Sequence, residues 1–307
     1  MNEFVLRTHR LTKKYKTQYA LDNVDLSVRQ GTIYGFIGQN GAGKSTLMKL
    51  VTGMAFPTSG TVELFGATGE RELIRNRKRI GVAIESPALY SHMTAFENLE
   101  THRLQRGIPG KECVKKTLKL VGLEGTGGKK ARNFSLGMKQ RLALAVALLG
   151  DPEFIILDEP TNGLDPMGVV EMRELLQMLN RERGITILIS SHILTELHLL
   201  ATHYGIIHHG KMLEELTARE LQEKCKQYVH IKVNDPERAA AVLERELATT
   251  EFEVMADGAI RLYAHLEKPA RVSTALVAGG LEVEQFMPMG EDLESYFTAR
   301  IGGGKHV

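Results

Sequence analysis

Cysteine is nearly absent, with only Cys113 and Cys225 in 307 residues. That excludes a disulfide framework and a thiolate metal cage, and it fits a reducing cytosol. Long apolar runs are missing as well. The longest, Leu142 to Leu149, falls far short of the roughly 20 residues that span a bilayer. The opening MNEFVLRTHRLTKKY has no apolar signal core. The chain is therefore expected to be soluble and to reach any membrane through another polypeptide. A strong charge of one sign is also lacking: the net charge is +2 and the pI about 8.4, so there is no whole-protein nucleic-acid footprint. Solenoid repeats, low-complexity segments and an HExxH pair are not found, and His198, His203, His208 and His209 have no complete metal-ligand spacing. The basic run Arg71 to Arg79, flanked by Glu70 and Glu72, reads as a solvated helix.

The charge is unevenly divided. Residues 1–210 hold 27 Lys and Arg against 20 Asp and Glu, whereas residues 211–307 hold 12 against 17. In the first part, short apolar strands (EFVLRT, VDLSV, TIYGFIG, GTVELFG, RIGVAI, FIILDEP, ITILIS, YGIIHHG) alternate with helices, among them one from Ile193 to Ala201. Such alternation implies an α/β fold with a parallel sheet covered on both faces. The expected division is an α/β domain over 1–213 with a helical part at about 86–150, a linker helix at 214–226, and a small α+β domain over 227–307. The last reads β-α-β-β-α-β, the ferredoxin-like order, followed by a helix from Glu291 to Ala299. It shows no catalytic constellation, so regulation, dimer contact or stability is expected of it.

GQNGAGKST, Gly38 to Thr46, fits the phosphate-loop pattern GxxxxGK[ST]. Glycines allow successive amides to turn inward on phosphate at a helix start, where the dipole also favours an anion. Gly38, Asn40, Gly41, Gly43, Lys44, Ser45 and Thr46 form the candidate nucleotide loop. Lys44 meets the β- and γ-phosphates and the Ser45 hydroxyl ligates Mg²⁺. The apolar strand FIILDEP supplies the second half: Asp158 to hold Mg²⁺ through water, Glu159 to orient or deprotonate an attacking water. A further helix start, NFSLGMKQRLALAVALLG, carries Ser135 as a natural N-cap and exposed amides behind it, including Gly137. These make a second anion site that one ATP on one chain does not need.

The order GQNGAGKST, FSLGMKQ, FIILDEP, NGLD, SSH resembles the nucleotide-binding subunit of ATP-binding cassette (ABC) transporters, across about residues 3 to 213. The resemblance implies that FSLGM stands where the family has LSGGQ, so that Ser135 and Gly137 close on the γ-phosphate of a second subunit packed head to tail. Leu136 and Met138 depart from that signature. It further implies that Tyr15 stacks on adenine, that Asp165 lies in the loop coupling the two sites, and that His192 senses the γ-phosphate. Glu85 stands where the family has a glutamine contacting Mg²⁺ and the attacking water, at the head of a segment, about Ser86 to Asn98, that faces the membrane subunit. IESP, SLGMKQRL and the C-terminal appendage look like the ATP-binding subunits of bacitracin and lantibiotic export and immunity transporters.

The resemblance implies an ATPase using ATP and Mg²⁺. It dimerises with itself or a related subunit and works on a separate transmembrane permease at the cytoplasmic face of the membrane. Export of an antimicrobial peptide or related amphiphile is the expected task, with no nucleic-acid partner. Two other readings stay open. A soluble ABC ATPase acting on nucleic acid or the ribosome is disfavoured by the single cassette and the lack of sustained heptads. A weakly hydrolysing regulatory module is suggested by Glu85 and the altered signature.

Overall fold

A computed structural model of the chain describes residues 3–84, 89–290 and 293–301. The chain divides into two compact units, residues 1–218 and 219–307.

In the first unit, strands β1 (Phe4–Tyr15) and β2 (Gln18–Arg29) form a hairpin and are followed by β3 (Ile33–Ile37) and helix α1 (Lys44–Thr52). Next come β4 (Ser59–Leu64), α2 (Glu70–Arg77), β5 (Ile80–Ala83), α3 (Ala95–Gln105), α4 (Glu112–Leu120) and α5 (Leu136–Leu148). The unit continues through β6 (Phe154–Asp158), α6 (Pro166–Arg183), β7 (Thr186–Ser191), α7 (Leu194–His198), β8 (His203–His208) and β9 (Lys211–Thr217).

Its main sheet has the order β5-β6-β7-β3-β8-β9, parallel except for β9. All five residues of β3 and all six of β7 are buried, as expected of central strands in a parallel sheet covered on both faces. The register sets Asp158 beside Ser190 and Ser191 beside Ile37. The carboxyl ends of β3, β6 and β7 therefore finish level.

Three expectations need correction. β1, β2 and β4 do not join the parallel sheet but form their own antiparallel sheet, ordered β2-β1-β4. Only Lys16 and Thr17 separate β1 from β2, too short a connection for a parallel crossover. This sheet packs Leu6, Leu11, Leu21 and Leu26 into one core with Phe36 of β3 and Leu47, Met48 and Val51 of α1. Each such buried side chain contributes roughly 1.5–3 kcal/mol, so α1 is held firmly behind the phosphate loop. Second, the linker expected as a helix over 214–226 begins as strand: β9 runs to Thr217 and pairs with β8, and only Ala218–Lys224 is helical (α8). The turn at His209 and Gly210, both with positive φ, reverses the chain into that hairpin. Third, the helix after His192 is confined to Leu194–His198 rather than reaching Ala201.

Helices α3 to α5 lie between β5 and β6 in sequence. α3 opens with a capping box, in which Thr94 Oγ1 accepts from the Glu97 amide and Glu97 accepts from the Thr94 amide. In the second unit, β10 (Tyr228–Val233), α9 (Pro236–Glu246), β11 (Phe252–Val254), β12 (Ile260–Leu262), α10 (Pro269–Ala278) and β13 (Val283–Met289) precede α11 (Leu293–Ile301). The strands form an antiparallel sheet ordered β11-β12-β10-β13. Val229, Ile231 and Val233 pack on Ala239 and Leu243 of α9 and on Val272 and Leu276 of α10.

Candidate functional site

The loop between β3 and α1 is shaped by clearance as much as by conformation. A Cβ on Gly38 would stand 2.6 Å from the Ile207 carbonyl oxygen, and one on Gly43 2.6 Å from that of Ala20. Gly43 also has φ 112°, a region that side chains disfavour. It is the N-cap of α1 and offers no side-chain cap, and the first turn contains no acid. The opening amides of α1 thus keep their donors for an anion. Asn40 and Gly41 are exposed at the loop tip, and Ser45 and Thr46 are half-buried in the first helical turn. Lys44, only 5% exposed, curls back so that Nζ donates to the Gly38 carbonyl at 2.6 Å and the Gln39 carbonyl at 3.3 Å.

The end of β6 meets this loop. Ser45 Oγ donates to Asp158 Oδ2 at 2.6 Å, and Ser190 Oγ donates to Asp158 Oδ1 at 2.5 Å. Glu159 comes next, with φ 49°, a left-handed backbone for a non-glycine residue. Its Oε1 lies 3.3 Å from Lys44 Nζ, while Oε2 meets His192 Nδ1 at 3.1 Å and Asn162 Nδ2 at 3.3 Å. The turn beyond it is pinned by Thr161 Oγ1, which donates to Glu196 at 2.8 Å. Glu159, expected to act on the attacking water, and His192, expected to sense the γ-phosphate, are in direct contact.

Behind the loop sits the β8–β9 turn. The Gly210 amide donates to the Ala42 carbonyl at 2.9 Å. The His208 and His209 rings stand 4.0 Å apart. Partial burial, and then the neighbouring His209, push the His208 pKa below its ordinary value. Tyr15, half-exposed at the end of β1 with Lys13 Nζ 4.9 Å from its ring centre, belongs to the same hairpin that brings Ala20 against Gly43.

Ser135 and Gly137 form a second group. Ser135 caps α5, its Oγ accepting from the Met138 amide at 3.2 Å. Gly137 is not required by the fold around it, because a Cβ there would meet only Leu164 Cδ2, at 3.8 Å. Asp165 caps α6 by accepting from the Gly168 amide and lines the same hollow as Ser135 and Gly137. A larger cleft of about 790 Å³ is lined by Ser45, Asp158, Glu159 and Asn162 together with Arg132, Leu136, Lys139 and Gln140. Glu85 and Ser86 to Ala88 lie outside the described residues.

The profile of the family described as "ABC transporter" matches residues 21–162, from β2 through the turn after β6. The bacitracin transport ATP-binding protein BcrA of Bacillus licheniformis is 43% identical over 303 residues, 98% of each chain. This chain belongs to the ABC transporter family. The lantibiotic transport ATP-binding protein SrtF of Streptococcus pyogenes is 41% identical over 211 residues, 69% of this chain and 90% of that one. Among solved structures, the ATP-binding cassette MJ0796, dimeric and bound to ADP and Pi in a post-hydrolysis state, matches with a TM-score of 0.63 at 27% identity, over 70% of this chain and 99% of its own. CbiO1 of Clostridium perfringens, part of the transporter complex cbiONQ, matches with a TM-score of 0.66 at 27% identity, over 80% and 97%. The protein is thus the ATP-binding subunit of an ABC transporter, and the reaction it carries out is ATP hydrolysis.

Within this ABC ATPase, sequence reasoning missed Ser190, Asn162 and Glu196. Ser190 had a visible signal, a polar residue closing the apolar stretch Ile187 to Ile189. Asn162 and Glu196 carry none, since their contacts depend on how the turn after β6 folds back. Among the described residues, no three His, Cys, Asp or Glu side chains cluster as a metal cage. The oxygen pair Ser45 and Asp158 fits a hard cation that keeps most of its water, as Mg²⁺ does.

Proposed function

We propose that this ABC ATPase closes head to tail with a second nucleotide-binding subunit over two ATP molecules, and thereby drives a separate membrane subunit that exports an antimicrobial peptide or related amphiphile. The observation that carries the dimer is Gly137. An alanine would fit there within the chain and would favour the helix, so the missing Cβ answers to something outside the chain. The dimeric MJ0796 cassette and the bacitracin and lantibiotic transport roles named for BcrA and SrtF support the reading. We assign the ATPase to residues 1–213 and an accessory role to residues 227–307.

In this mechanism the α1 amides and Lys44 take the β- and γ-phosphates, and Tyr15 stacks on the adenine. Ser45 and Asp158 would hold Mg²⁺, which neutralises phosphate charge when bound. Glu159 accepts a proton from the attacking water as its oxygen bonds to the γ-phosphorus and the bridging β–γ oxygen leaves with ADP. His192 holds the second Glu159 oxygen and orients the carboxylate. Ser135 and Gly137 of one subunit cover the γ-phosphate bound by the other, with Asp165 linking the two sites. Among the described residues no helix is long and apolar enough to cross a membrane. We place the protein at the cytoplasmic face, held there by its permease, with the segment after Glu85 passing on the motion.

The test is capture from detergent-solubilised native membranes with tagged Glu159→Gln protein, ATP and Mg²⁺. Recovery of a multi-span membrane protein is expected. Recovery of soluble chains or ribosomes alone, from cells that express the protein, would overturn the transporter assignment.

A further inference from the structure

We propose that Ser190 is a positioning residue for both acids of the ATPase site. Its single hydroxyl sets the Asp158 carboxylate for a divalent cation and fixes the backbone from which Glu159 reaches the phosphates. The inference rests on the reading of Asp158 and Ser45 as cation ligands.

A serine hydroxyl has one proton to donate and lone pairs to accept with, and both capacities are engaged at Ser190. The proton goes to Asp158 Oδ1 at 2.5 Å, and the oxygen accepts the Glu159 amide at 2.9 Å. Ser190 is fully buried, so water cannot substitute for either bond. It lies directly beside Asp158 in the β6–β7 ladder, which places the two side chains as neighbours on one face.

Asp158 is thereby held from one oxygen by Ser190 while the other faces Ser45 at 2.6 Å. Rotation of the carboxylate would break one of the two bonds. Glu159 leaves the strand in a left-handed turn, where its amide no longer fits the sheet ladder. Ser190 receives that amide, which orients the Glu159 side chain toward Lys44 and His192. A partner one step behind a metal ligand typically changes affinity or activity by 10- to 100-fold when lost.

The neighbouring residue supplies a control. Ser191 is 3% exposed, but its hydroxyl accepts from the Ile193 amide at 2.9 Å and donates to the Ile193 carbonyl at 3.3 Å. The two serines are alike in burial and differ in whom they hold.

The experiment measures Mn²⁺ binding to the full chain in the presence of ADP by electron paramagnetic resonance. It compares wild type with Ser190→Ala, Ser191→Ala and Asp158→Asn, alongside ADP binding in chelator, thermal melting, and the split of ATPase effects between kcat and KM. Ser190→Ala is expected to weaken Mn²⁺ by about 10- to 100-fold, to lower kcat and, by linkage, to raise the KM for metal-bound ATP, with metal-free ADP affinity unchanged. Ser191→Ala is expected to keep wild-type Mn²⁺ affinity whatever it does to the melting temperature. Unchanged Mn²⁺ affinity in Ser190→Ala, or an equal loss in Ser191→Ala, overturns the proposal. If Ser190→Ala does not fold, Ser190→Cys, which keeps the shape with a poor donor, takes its place: weakened Mn²⁺ supports the role and unchanged Mn²⁺ overturns it. Mn²⁺ binding that is insensitive to Asp158→Asn would overturn the cation-site reading itself.

Discussion

Lys44 Nζ stands 3.3 Å from Glu159 Oε1, with the lysine 5% and the glutamate 20% exposed, so the phosphate-loop cation and the acid after β6 are already paired. A γ-phosphate arriving at Lys44 competes with that carboxylate for the same ammonium. Replacing Glu159 with Gln removes the competing charge together with the proton acceptor. Glu159→Gln is therefore expected to bind ATP at least as tightly as wild type while losing turnover by about 10² to 10⁴, the range for a general base. Single-turnover hydrolysis and equilibrium binding of a fluorescent ATP analogue check both halves. Near-normal hydrolysis would remove Glu159 from the role.

Gly43 combines φ 112° with a position where a Cβ would approach the Ala20 carbonyl to 2.6 Å. Backbone strain of this kind costs on the order of 1–3 kcal/mol, and steric displacement of β2 adds to it. Gly43→Ala should lower the melting temperature and abolish ATP binding together. Retention of ATP binding by a destabilised Gly43→Ala would show that the loop tolerates a shift of the β1–β2 hairpin.

Tyr15 is half-exposed on that hairpin, and no other aromatic side chain lies in ring contact with it among those described. A stacking role predicts that Tyr15→Ala raises the KM for ATP several-fold, with kcat little changed, and that Tyr15→Phe behaves like wild type. Stacking of a base on an aromatic ring is worth about 1–3 kcal/mol. A Tyr15→Ala enzyme with wild-type KM would assign the adenine contact elsewhere.

What the sequence made legible was whatever depends on local pattern. GQNGAGKST, FIILDEP and the capped start of α5 announce their geometry because glycine conformation, apolar strands and N-caps act over a few residues. The separate antiparallel sheet was hidden, since VDLSV and GTVELFG look alike whether their partner is parallel or antiparallel; only the two-residue turn after Tyr15 distinguishes the cases. β9 was hidden for a similar reason, because KMLEELT has charges enough to pass for helix until its pairing with β8 is known. In the site, the bridge from Asp158 through Ser190 to Glu159 depends on the register between β6 and β7, which no short-range pattern encodes.

His208 connects stability to pH. Partial burial and then His209 hold its pKa below the ordinary 6.5, so the folded state binds this proton more weakly than the unfolded chain. The contribution is present in full above about pH 6.5 and is lost as the pH falls through the lower, folded pKa. Because the adjoining Gly210 amide bonds to the Ala42 carbonyl of the phosphate loop, acidification should weaken nucleotide binding along with the fold. His208→Asn is expected to flatten the fall in melting temperature between about pH 7 and about pH 5.5. An identical profile in wild type and variant would mean that other groups govern that window.

Gly137 separates an interface role from an internal one. Within the chain, a methyl group there meets only Leu164 Cδ2 at 3.8 Å, and near a helix start alanine is preferred over glycine by up to about 1 kcal/mol. Gly137→Ala should therefore melt at the same temperature as wild type or higher. If the opening of α5 closes on a phosphate held by a second subunit, the same methyl group blocks that approach, and both ATPase rate and ATP-dependent dimerisation of the Glu159→Gln background should fall. Light scattering after size exclusion, with and without ATP, reads the second effect directly. A variant that is stable, active and dimeric would leave the missing side chain without an intermolecular purpose; a stable, monomeric and slow one would tie it to the face of the partner.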